Sequence, residues 1–75
     1  MRIITREGEV LEGADEVAVA HRLWSSARTK APSLPAFMRA VAARSLDQCG
    51  AAISTGNPVA FVRSLLDAGL LHRAH

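Results

Sequence analysis

The sequence predicts a small single domain of the α+β class, an N-terminal β-hairpin on three helices with a short third strand, in the order ββααβα. Three observations carry this expectation. Two apolar runs flank a glycine within residues 2–12. Three later stretches repeat apolar residues at helical spacing, each behind a capping signal. A brief run at residues 51–55, between Gly50 and Gly56, suits a strand better than a helix.

In chain order, Ile3, Ile4 and Thr5 favour a strand, and Val10 and Leu11 a second one. Between them Arg6-Glu7-Gly8-Glu9 supplies the turn, because Gly8 can take the positive φ that a tight hairpin needs. A lone two-stranded hairpin is unstable in water, so it must pack on something. Gly13-Ala14-Asp15-Glu16 opens the first helix, predicted over about 14–27, where acidic groups meet the positive end of the helix dipole. Its apolar stripe is Val17, Ala20, Leu23, Trp24 and Ala27.

Pro32 and Pro35 mark a loop, with Ser33 as the expected N-cap of a second helix over 34–48. Leu34, Phe37, Met38, Val41, Ala42 and Cys49 fall on one side of it, and Gly50 stops it. Ala51 to Thr55 is the expected third strand. Gly56-Asn57-Pro58 combines turn, N-cap and a proline at the first helical position, opening a third helix over 58–68. Val59, Phe61, Val62, Leu65 and Leu66 are its inward residues. Gly69 suits a left-handed helix end, with Leu70 packing back on Leu65. Residues 71–75 are expected to form a frayed tail.

With 75 residues the chain holds one domain and a thin core. Trp24, Phe37 and Phe61 are its only aromatic residues, and Cys49, its single cysteine, allows no internal disulfide. No apolar run approaches a membrane span, and the N-terminus has no signal-peptide pattern, so the expected location is cytoplasmic. The net charge of +2 conceals an asymmetry: residues 1–16 carry −3 and residues 17–75 carry +5. Such a basic body suits an acidic partner or nucleic acid, and equally a solvated surface.

The residues that carry chemistry are sparse. His72 and His75, three apart, do not complete a zinc site, and His21 stands alone. Cys49 is placed at a helix C-terminus, where the dipole disfavours a thiolate, and reads as a small buried hydrophobe. The serines lack a nucleophile-elbow context, and no glycine-rich phosphate loop is present. The expectation is a protein without enzymatic activity, metal or cofactor. Arg22, Arg28, Lys30, Arg39 and Arg44 spread over the first two helices, but neither inter-helix connection fits a helix-turn-helix. A DNA-binding regulator is therefore the second reading and a protein-binding module the first. The candidate interaction residues are Trp24, Arg28, Lys30, Arg39, Leu70 and Leu71. Trp24 suits either the core or an interface anchor. An open edge at the third strand would add a further docking surface.

The blocks Ile3-Ile4-Thr5 with Gly8-Glu9-Val10, Ser33-Leu34-Pro35-Ala36-Phe37-Met38-Arg39-Ala40-Val41-Ala42, and Ile53-Ser54-Thr55 with Phe61 through Leu71 span nearly the whole chain. Together they resemble the QseM-type antiactivators of bacterial integrative and conjugative elements, and small phage or mobile-element regulatory proteins generally. That resemblance implies a protein that binds a transcriptional activator, including LuxR-type quorum-sensing regulators, and keeps it off DNA. It assigns no functional residue to a position in this chain.

Overall fold

The hairpin is pinned first by its turn. In the computed structural model, which describes residues 1–27 and 31–74, β1 (Arg2–Thr5) and β2 (Val10–Glu12) pair antiparallel, Ile3 opposite Leu11. The Thr5 carbonyl accepts from the Gly8 amide at 3.0 Å, and the Thr5 amide donates to the Glu9 carbonyl at 2.9 Å. Gly8 sits at φ +86°, a conformation that side chains disfavour.

Helix α1 (Glu16–Ser26) starts on Asp15, whose carboxylate accepts from the Ala18 amide at 3.0 Å. Helix α2 (Leu34–Cys49) starts on Ser33 and helix α3 (Pro58–Asp67) on Asn57, each side chain accepting from an amide three residues on. These caps satisfy amides that no helical carbonyl can reach. Helix α3 ends as a Schellman turn. The Leu70 amide reaches the Leu65 carbonyl at 2.9 Å, the Gly69 amide reaches Leu66 at 3.1 Å, and Gly69 is left-handed at φ +77°.

That turn reverses the chain into β3 (Leu71–Arg73), which pairs antiparallel with β1. The sheet is therefore three-stranded, in the order β2-β1-β3. The α+β architecture, the hairpin, the three helices and the presence of a short third strand agree with the sequence. The position of that strand does not, and the element order is ββαααβ. Residues 51–55 are irregular: Ile53 packs against the core and the Ser54 amide donates to the Ser64 hydroxyl at 3.2 Å. With that amide turned to α3, the segment has no sheet partner. The predicted frayed tail supplies the strand instead.

The helices cover one face of the sheet. Ile3, Leu11 and Leu71 point into a core shared with Val19, Ala20, Leu34, Phe37, Met38, Phe61, Val62 and Leu65. The Phe37 and Phe61 rings meet edge-on, 6.2 Å apart, joining α2 to α3. An edge-to-face pair of this kind adds about 0.5–1.5 kcal/mol beyond area burial. On α1 the buried face is rotated from the expected stripe. Val19 is fully buried whereas Val17 is exposed. The stripe runs through Val19, Ala20, Leu23, Trp24 and Ala27, which leaves Val17 at its margin. Gly13 explains how closely α1 approaches the hairpin. A Cβ there would stand 2.8 Å from the Ala18 Cβ and 2.9 Å from the Val19 amide nitrogen.

Candidate interaction surfaces

Among the described residues, no three histidine, cysteine or acidic side chains converge on a point that a metal could occupy. No described helix is long and apolar enough to cross a membrane. Two concavities among the described residues are open to solvent. One lies at the sheet end by Met1, Arg2, Glu12, Gly13 and Ala74, another on α2 by Ala43, Arg44, Leu46 and Asp47.

The sequence candidates are scattered. Trp24 is half-buried, and its indole Nε1 donates to the Ala31 carbonyl at 3.1 Å. It ties α1 to the segment that leads into α2, with the His21 ring tilted beside it at 6.3 Å. Arg39 is exposed on α2. Arg28 and Lys30 lie outside the described residues, as does His75. Leu70 is half-buried against the core. Leu71 is not an exposed apolar end but a core residue, 5% exposed, because β3 turns it inward opposite Thr5. Cys49 is likewise corrected: it is exposed, and the Arg6 guanidinium donates to its Sγ at 3.7 Å. The end of α2 runs past the margin of the core, so a position in phase with the apolar face is not buried there.

The surface that sequence reasoning missed is the outer face of the sheet. Strand side chains alternate, so Ile3 and Leu11 turn to the helices, while Ile4 and its neighbours Val10 and His72 turn away from them. Ile4 is half-buried between the other two; Val10 is 53% exposed and His72 is exposed. Arg2 and Glu12 form an ion pair that closes one end of this row. The adjacent Ile3-Ile4 pair was the available signal, since consecutive apolar residues on a strand put one on each face of the sheet.

Both outer strands also present backbone. The Gly13 amide donates to the Met1 carbonyl, and the Ala74 amide to the Arg2 carbonyl, each at 2.9 Å. Antiparallel ladders alternate, so Val10 and Glu12 on β2, and Leu71 and Arg73 on β3, direct their peptide groups to the free edges. An extended peptide could add at either edge. Both strands are three residues long, which limits indiscriminate pairing.

Acidic and basic side chains are interspersed on the helices. Arg22, Arg39 and Arg44 are exposed. Arg63 on α3 is engaged, its Nε donating to Glu16 at 3.1 Å across to the start of α1. The backbone amide of Glu16 and then the Arg63 guanidinium hold the Glu16 carboxyl below its ordinary range. No family model matches this chain, and no curated protein or solved structure matches it either.

Proposed function

We propose that this chain is a small regulatory protein that acts by stoichiometric binding to another protein, through the outer face and free edges of its sheet. The observation that supports this reading is the uncovered row Ile4, Val10 and His72 between two unpaired strand edges. An apolar centre with a polar and charged margin is the usual make-up of a protein-binding patch. The finer proposal, that the partner is a transcriptional activator held off its DNA, rests on the resemblance to QseM-type antiactivators alone.

The second reading, a DNA-binding regulator, draws on the exposed Arg22, Arg39 and Arg44. A titration separates the two. The chain is added to a LuxR-type activator bound to its promoter DNA. An antiactivator releases the DNA and saturates at a fixed molar ratio, and Val10→Lys weakens the release without shifting the thermal melt. If the chain alone retards duplex DNA, with affinity falling by orders of magnitude between about 50 and 200 mM salt, and leaves activators untouched, the DNA reading replaces the first.

A further inference from the structure

The outward side of α2 is a second uncovered surface. Leu46 is 60% exposed on it, more than any other large apolar side chain described, and it borders the open concavity with Ala43, Arg44 and Asp47. Arg39, Ala40, Ala43 and Asp47 share this exposed side of the helix. At 100° per residue, Ala43 lies on its midline, with Ala40 and Leu46 about 60° to either side and Arg39 and Asp47 about 40° to either side.

We propose that this face is an interface between two copies of the chain, their α2 helices packed antiparallel about a two-fold axis at Ala43. The charges select both the occupant and the register. When a helix packs antiparallel on its own copy about residue 43, residues equally distant from 43 meet. Arg39 then faces Asp47 of the second copy, and Asp47 faces Arg39 of the second copy, giving two ion pairs of one kind. The rotation keeps every side chain on its own flank of the seam, so each Leu46 lies beside Arg39 of the second copy and packs on its aliphatic stem. Other registers on this face fail. An axis near Ala40 brings the two Arg39 guanidiniums together, and an axis near Leu46 brings the two Asp47 carboxylates together. A surface that complements itself under one two-fold rotation is what an isologous dimer requires. Alanines at the crossing point allow the helix axes to approach to about 8 Å. A chain of this size, with a thin core and no disulfide, is also among those that self-association commonly stabilises. The proposal does not depend on the regulatory reading, which uses the sheet on a different part of the molecule.

The test is sedimentation equilibrium of the full chain across a concentration series at low salt. Four proteins are compared: the wild type, Arg39→Asp, Asp47→Arg, and the double reversal carrying both. The wild type dimerises. Each single reversal places like charges opposite each other and weakens the dimer at least about tenfold, since such juxtaposition costs several kcal/mol. The double reversal restores it. All changed positions are exposed, and circular dichroism melts check that each variant folds. A second readout stands if one does not: Ala43→Cys, combined with Cys49→Ser, cross-links to a covalent dimer under mild oxidation because residue 43 meets itself at the axis. A wild type that stays monomeric, a dimer indifferent to the single reversals, or a double reversal that fails to restore association overturns the proposal. So does an Ala43→Cys protein that resists cross-linking.

Discussion

Helix α2 has sixteen residues and α3 has ten, yet the shorter helix is the one the core is built around. On α3, Phe61 and Val62 are fully buried and Leu65 nearly so, and the helix touches α1, β3 and the Phe37 ring of α2. On α2, Leu34, Phe37 and Met38 are buried near the start. Beyond Val41 the inward positions fall to Ala42, Ser45 and Cys49, and only Ser45 is buried. The helix continues because Gly50 ends it in a left-handed turn, not because the core extends alongside. One helix is therefore committed to folding along its length. The other folds with its first half and offers its second half to solvent.

The largest expected effect tests that contrast directly. Phe61→Ala removes a fully buried ring and its edge contact with Phe37, and should cost about 3–5 kcal/mol. Against a total stability of about 5–15 kcal/mol, the variant should be largely unfolded or melt far earlier. Leu46→Ala, measured at a concentration low enough to keep the chain monomeric, should change stability by no more than about 0.5 kcal/mol. Urea denaturation of both gives the answer. A comparable loss at Leu46 would mean that the far half of α2 contributes to the monomer core after all.

A smaller effect sharpens the comparison. Asn57→Ala removes the cap at the start of α3, where the Asn57 side chain accepts from the Ala60 amide at 2.8 Å. The expected cost is about 1 kcal/mol. Because α3 is part of the core, the loss should appear in global unfolding and lower the protection of core amides throughout. Amides of residues 46–49 should exchange faster than those of α3 already in the wild type, through local fraying. Hydrogen exchange read residue by residue checks both. Equal protection along α2 and α3 would remove the distinction.

What the sequence disclosed follows from how local each signal is. Gly8, the caps at Ser33 and Asn57, and the Gly69 turn act within a few residues of themselves, and all take the expected roles, while Asp15, expected within the first turn of α1, is its cap. The third strand is different, because it is defined by pairing with β1 some seventy residues away. Nothing local separates Leu71-His72-Arg73 from a fraying end, while Ile53 between small polar residues imitates a strand. The phase of α1 fails for a related reason. Val17 and Val19 are both apolar, and the close approach of Gly13 to Ala18 and Val19 sets which one faces inward. The candidate surfaces were the least legible part. Leu71 was expected at an exposed end and is core, and the row Ile4, Val10 and His72 comes together only through the register of three strands. Leu46 stands out only once the extent of the core beside α2 is known.

The smallest effect concerns the link that fixes the start of α1 to α3. Glu16 accepts from Arg63, and its carboxyl is held below the ordinary range by its own backbone amide and by that guanidinium. A carboxyl with a depressed folded-state pKa contributes stability that is present above its unfolded-state pKa and lost as pH falls through the folded one. Glu16→Gln keeps the size of the side chain but removes the charge. The variant should melt slightly below the wild type at pH 7, and the gap should close as the solution is acidified past both pKa values. High salt should narrow it too, since the Arg63 side chain is largely exposed. The same substitution leaves α2 untouched, so it asks whether α3 is anchored at its margin as well as through its core. If the melting difference is absent at neutral pH, burial of Phe61, Val62 and Leu65 alone sets the attachment of α3. If it persists in acid, the effect belongs to the helix start and not to the charge.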